Sequence, residues 1–277
     1  MARSLKTVIT NFSAGELNPL LATRTDTPAY INGAKQCRNF SLLAEGGVMR
    51  RPGTTYLATL PAECRLIPFV FSDDEIAIIA LSNNRMDVYN ISGTALSSNV
   101  TTNCNWTTAQ LFELNFAQFG DTIFVTHRDN PIRKIFRSSA TAFNVQTFSF
   151  DEDESVTVGG VNKSKQPFYK YADGSISVSL SSAGAGTGIT LTSSSAYFTS
   201  AYVNTYLEVD DKQAFVTGFT NASNVTITLL EAASGTGPHF NWKEQTISSI
   251  NGFPQAVSFH NNRLWFGGVK NRPASVL

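Results

Sequence analysis

One shape recurs along the chain and limits what it can fold into. The segment RLIPFVFSDDEIAIIALSNNRMDVYNISG, from Arg65 to Gly93, reads as three short apolar strands. They are separated by polar turns at Ser72-Asp73-Asp74 and Ser82-Asn83-Asn84. LFELNFAQFGDTIFVTHRDNPIRKIFR, from Leu111 to Arg137, repeats strand, Gly120-Asp121 turn, strand, Asn130-Pro131 turn and strand. FPQAVSFHNNRLWFGGVKNRPASVL, from Phe253 to Leu277, repeats it again. Aligning Asp74, Asp121 and Asn262 superposes the three copies, and the first two lie 47 positions apart. Propeller blades recur at about 40–50 residues and contain four strands each. The spacing and the order of turns therefore favour propeller-like blades over an unspecialised β-meander.

Another pattern delays the third copy. Ile176, Val178 and Leu180 alternate strictly with polar residues, as do Val225, Ile227 and Leu229. A period of two marks half-buried antiparallel strands. Residues 173–233 are expected to form a small β-barrel or sandwich inserted between blades. Ser181–Gly188 is expected to be a flexible turn and Ala233–Pro238 the linker back. Asp151–Glu154 is expected to be a solvated acidic run. The first 60 residues lack clean periodicity and read as an extended arm with turns. One helix is expected over Pro28–Phe40, with Thr27 as cap and Pro28 in the first helical position.

The expected fold class is all-β, with β-propeller-like blades, an N-terminal extended arm and a small inserted β-domain. The arm spans 1–60, the first blades 61–150, the insert 173–233 and further propeller strands 250–277. A propeller closes with at least about four blades. The chain therefore reads as truncated within a longer propeller.

Charge and composition narrow the function. Lys plus Arg and Asp plus Glu number 21 each, whereas general nucleic-acid binding needs a basic excess. Cys37, Cys64 and Cys104 share no metal spacing, and an odd count is a poor disulfide framework, so reduced structural cysteines are expected. The basic start MARSLKTVITNF has no apolar h-region, and no stretch is long enough to span a membrane. His127, His239 and His260 have no partner at metal-ligand spacing. GAGTG, at Gly184–Gly188, lies between strands rather than before a helix, which excludes a dinucleotide fingerprint. No cofactor and no metal is expected. Asp73, Asp74 and Glu75 read first as a solvated turn. Paired carboxylates also serve glycoside hydrolysis when held across a sugar. Acidic turns can further line a surface that repels DNA.

The segment GGVMRRPGTTYLATL, Gly46–Leu60, sets a rigid double arginine in a neutral chain. Gly46-Gly47 supplies positive φ, and Pro52 forces Arg51 into an extended conformation. Consecutive side chains on a strand point to opposite faces. Arg50 and Arg51 therefore suit two partners, or carboxylates on two sides, better than one phosphate. A solvated basic turn is the alternative.

NFSAGELNPLLATRTDTPAYINGAKQCRNFSLLAEGGVMRRPGTTYLA, from Asn11 to Ala58, carries Phe12-Ser13-Ala14-Gly15-Glu16-Leu17, Arg24 and Asp26, Tyr30, Asn39, Gly46-Gly47-Val48 and Arg50-Arg51-Pro52-Gly53-Thr54. This set resembles the N-terminus of tail nozzle proteins of short-tailed bacteriophages, also called tail tubular protein B or stabilisation proteins. The ending from Gly252 to Leu277 is also similar to a later segment of that family. The middle resembles it only in texture.

The resemblance implies a structural, non-catalytic tail component. It implies a ring of six copies beneath an adaptor ring, with tail fibres at its periphery. Genomic DNA would pass through a central channel without sequence-specific contacts. Assembly would occur in the host cytoplasm and the product would reside in the virion. Arg50, Arg51, Pro52 and Gly53 become candidate interface residues. A rival reading is a propeller glycosidase using Asp73 or Asp74 and aromatics such as Trp106, Trp242 and Trp265. Another is a glycan- or receptor-binding module in residues 173–233.

Overall fold

The computed structural model describes residues 9–21 and 23–277. Most of the basic start read above lies outside them. The protein is all-β and divides into two compact units, 1–56 and 57–277.

Among its described residues, unit 1 is held by backbone pairing and one exposed ion pair, Arg24–Asp26, with no large apolar side chain buried. Strands β1 (Gly15–Glu16) and β2 (Gly33–Ala34) pair in parallel. Between them lies helix α1 (Pro28–Ile31), far shorter than the expected Pro28–Phe40. Pro28 does start the helix, but Thr27 makes no side-chain cap. The helix ends early because Gly33 must meet β1. A Cβ there would lie 2.5 Å from the Leu17 side chain and 2.7 Å from the Ala29 carbonyl oxygen. Strands β3 (Phe40–Leu42) and β4 (Val48–Arg50) then form a hairpin, with Phe40 opposite Arg50.

Unit 2 contains three antiparallel meanders. The first comprises β5 (Arg65–Val70), β6 (Ile76–Ser82), β7 (Arg85–Asn90) and β8 (Ala95–Val100), in that order. The second comprises β9 (Asn115–Phe119), β10 (Thr122–His127), β11 (Asn130–Ser139) and β12 (Ala142–Thr147).

Next in sequence comes a two-stranded ribbon, β13 (Glu152–Val158) and β14 (Val161–Ser164). The acidic run thus belongs largely to a strand. Gly159 and Gly160 both have positive φ, at 58° and 79°. A glycine pair of this kind suits a two-residue hairpin turn.

A curled seven-stranded sheet follows, shaped like half a barrel. Its strands are β15 (Phe168–Tyr169), β16 (Val178–Leu180), β17 (Gly186–Ser193), β18 (Tyr206–Val209), β19 (Lys212–Asn221), β20 (Asn224–Leu229) and β21 (Trp242–Gln245). They lie in the order β15-β21-β18-β19-β20-β17-β16. This sheet extends beyond 173–233 at both ends, because β15 pairs with β21. The third meander comprises β22 (Pro254–His260), β23 (Arg263–Val269) and β24 (Arg272–Val276).

Asp74, Asp121 and Asn262 all lie between the first and second strands of their meanders. Gly120, Asn261 and Asn262 adopt positive φ there, as short polar turns require. Pro131, by contrast, sits inside β11, and the turn falls on Arg128 and Asp129. Proline is tolerated near a strand's start, where a missing donor matters least.

Packing joins successive meanders. Ile67, Phe69, Ile79 and Val88 of the first share a core with Ile123, Ile135 and Phe143 of the second. Phe69 meets Phe143 edge-on at 5.1 Å. The second and third meet through Phe119 stacked on Phe259 at 5.2 Å and Phe148 edge-on to Phe266 at 5.5 Å. Two glutamines tie the same junctions. Gln118 accepts from the Val70 N–H at 3.2 Å and donates to the Val70 carbonyl at 2.7 Å. Gln255 accepts from the Arg128 N–H at 3.2 Å and donates to the Glu113 carbonyl at 2.7 Å.

The seven-stranded sheet has its own core. Val225, Ile227 and Leu229 are fully buried against Leu191, Leu207 and Trp242. Each such side chain contributes about 1.5–3 kcal/mol by leaving water.

Candidate functional site

The double arginine lies at the end of the β3–β4 hairpin. Gly46 turns the hairpin with φ 92°, where its carbonyl accepts from the Phe12 N–H at 2.7 Å. A Cβ on Gly46 would lie 2.4 Å from Asn11 Oδ1. Asn39 has φ 61°, and its carbonyl accepts from the Arg51 N–H at 3.0 Å. That bond fixes the backbone of Arg51 and leaves both guanidinium groups exposed. Neither makes an ion pair among the described residues. Pro52 and Gly53 follow, also exposed.

The rest of the N-terminal motif serves this small scaffold. Arg24 grips Asp26 through two parallel bonds of 2.9 and 2.8 Å. The Glu16 carboxylate accepts from the Cys37 N–H at 2.9 Å. Gly15 turns with φ 71°. No large apolar side chain is buried among the unit's described residues, while Leu20 is 85% and Ile31 67% exposed. Phe40, Leu42, Val48 and Met49 are exposed on the same hairpin as the arginines.

Asp73, Asp74 and Glu75 lie exposed in the turn between β5 and β6. Asp74 and Glu75 line a cavity of about 240 Å³ with Arg137 and Phe143. Glu75 pairs with Arg137 at 2.8 Å, and that bond holds its carboxyl below the usual range. Arg137 also lies over the Phe71 ring at 4.5 Å. Glu75 is therefore held ionised, the wrong state for a general acid. Trp106 and Trp242 are core residues, and only Trp265 of the three is substantially exposed.

The histidines do not converge. His127 is buried, 3.1 Å from Glu113, and accepts from the Asp129 N–H at Nδ1. His239 approaches the Gly235 carbonyl at 3.0 Å, and His260 is exposed. No metal-binding cluster occurs among the described residues. All three cysteines are free, and burial pushes the Cys104 thiol up to about 12. No helix of the described residues is long and apolar enough to cross a membrane.

Two buried polar features escaped the sequence reading. Glu244, on β21, is only 2% exposed. It accepts from the Tyr197 hydroxyl, from the Tyr202 hydroxyl at 2.9 Å and from Asn251 Nδ2 at 3.5 Å. Burial raises its carboxyl above the ordinary range despite these donors.

Gln166, between β14 and β15, is the second. Its Nε2 is buried without a hydrogen-bond partner, as are Trp106 Nε1 and Arg133 Nε. An unpaired buried donor costs about 1–3 kcal/mol. Gln166 differs in also lining a cavity of about 210 Å³.

No family model matches the chain, and no curated protein matches it.

Proposed function

We propose that the chain is a structural component of a short-tailed phage's tail nozzle, forming a ring around a DNA channel. The observation that carries this reading is the state of unit 1. It is tightly specified in its turns, yet it buries no large apolar side chain among its described residues. It presents unpaired Arg50 and Arg51 beside Phe40, Leu42, Val48 and Met49. Such a surface is suited to a neighbouring subunit, where apolar burial and guanidinium forks act together.

Successive meanders packed face to face also support reading them as propeller blades. The seven-stranded sheet, lying in sequence between the second and third, then reads as the inserted β-domain. In this reading the ring holds six copies, meets an adaptor ring, carries tail fibres and has no catalytic site. It assembles in the host cytoplasm and acts in the virion during DNA ejection.

Sedimentation velocity and electron cryomicroscopy, alone and with the adaptor, test the proposal. A ring with a channel wide enough for duplex DNA is expected, with the Arg50-Arg51 hairpin at a subunit contact. A chain that stays monomeric at high concentration even with the adaptor overturns it.

A further inference from the structure

Beyond the nozzle reading, we propose that the cavity at Gln166 is a subsite for one neutral sugar ring. It opens where the end of the second meander, the β13–β14 ribbon and the seven-stranded sheet meet. Ligand sites favour such junctions. Its volume of about 210 Å³ is far above the roughly 10–15 Å³ that a single water needs, so it has room for a small molecule.

The lining selects the chemistry. Phe148, Phe150 and Phe253 supply apolar walls, and Phe148 and Phe150 brace each other edge-on at 5.1 Å. Among the described residues Glu152 is the only charged member of the lining, so an anion meets repulsion and no cation of the lining offsets it. Glu152 Oε2 accepts from Asn162 at 2.8 Å, which leaves Oε1 to accept from a ligand. Gln245 has both ends of its amide engaged, by the Tyr206 N–H at 3.1 Å and the Ile247 carbonyl at 2.7 Å. Gln166 lines the cavity and keeps an unused Nε2 donor, and the residue as a whole is 8% exposed. A ligand that answers all of these has an apolar C–H face and hydroxyls that both accept and donate. An aliphatic group would leave Gln166 unpaired, as would a simple cation. A sugar ring fulfils both demands.

The test uses the intact chain in saturation-transfer NMR and calorimetric titration. The probes are methyl glycosides of glucose, galactose, N-acetylglucosamine and rhamnose, their oligosaccharides, and N-acetylneuraminic acid as an anionic control. At least one neutral glycoside is expected to bind in the millimolar range, and the anion is not. Equal affinity for monomer and oligomer assigns the site to free sugars. A gain of about tenfold or more for the oligomer assigns it to glycans.

Gln166→Leu removes the donor at similar volume. It should weaken binding about tenfold or more without lowering the unfolding midpoint, since the lost group pairs with nothing in the free protein. Phe150→Leu gives a second readout through the apolar wall. Absence of binding by every neutral glycoside overturns the proposal. So does unchanged affinity in folded Gln166→Leu and Phe150→Leu.

Discussion

Replacing Glu244 by glutamine should flatten the pH dependence of stability, while alanine at the same place should be severely destabilising. The carboxylate collects two tyrosine hydroxyls inside the seven-stranded sheet, with Tyr202 4% exposed. Alanine leaves both hydroxyls without that acceptor, at about 1–3 kcal/mol each. Asn251 adds little, because its contact is 3.5 Å and its Nδ2 also donates to the Gln245 carbonyl at 3.1 Å. The expected loss is thus about 2–6 kcal/mol, a large part of a typical domain's 5–15. Glutamine keeps a carbonyl oxygen for one tyrosine hydroxyl, offers its NH2 to the oxygen of the other, and carries no charge to desolvate.

The sign of the pH effect follows from burial raising the Glu244 carboxyl above its unfolded value. Its contribution is fully present below the unfolded pKa and is lost as pH rises through the folded one. The advantage of Glu244→Gln over the natural chain should therefore grow with pH. Urea unfolding followed by tryptophan fluorescence reports on this directly, because Trp242 lies edge-on to Tyr197 at 5.2 Å. The reasoning fails if the glutamine variant tracks the natural chain at every pH. It fails equally if alanine costs under about 1 kcal/mol.

Gln118→Ala should destabilise unit 2 by about 1–2 kcal/mol in urea titration, since it removes two bonds to Val70 that join the first and second meanders. Asp87→Asn should cost about 2 kcal/mol, because the buried carboxylate accepts two bonds from Arg85 and one from the Asn99 N–H. Burial alone would raise the Asp87 carboxyl, but these bonds outweigh it and hold it low. Its contribution should be present above the unfolded pKa and vanish as pH falls through the folded one, as acid titrations of both chains would show. Gly46→Ala should loosen the β3–β4 hairpin in amide hydrogen exchange, through both its positive φ and the approach to Asn11. Arg50→Glu with Arg51→Glu should abolish ring assembly in sedimentation while leaving the unfolding midpoint unchanged, because both side chains are exposed and unpaired.

Local chemistry made the meanders legible. Turns such as Gly120-Asp121 and Asn261-Asn262 declare themselves through residues that accept positive φ. The alternation of Val225, Ile227 and Leu229 likewise maps onto fully buried positions. The Gly159-Gly160 pair marks the ribbon, and the preceding acidic run is solvated as its charge implies while also forming a strand. Other features had no local signature. Phe168 pairs with Gln245 across 77 positions, so the true limits of the seven-stranded sheet arise from tertiary pairing. Gln166 and Glu244 look like ordinary surface residues until the fold buries them. The α1 helix stops at Ile31, short of Phe40, because the close approach of Gly33 to Leu17 arises only when β1 lies beside it.

The β15–β21 pairing has a kinetic consequence. Roughly a hundred residues separate the second meander from the third, although Phe119 and Phe259 stack on each other. If the seven-stranded sheet forms first, its joined ends shorten that loop to about thirty residues, close to two halvings, which lowers the closure penalty by about 1 kcal/mol. The third meander would then dock rapidly onto a chain already brought within reach. Core substitutions in the seven-stranded sheet, such as Ile227→Ala, should therefore slow the docking of a surface they never touch.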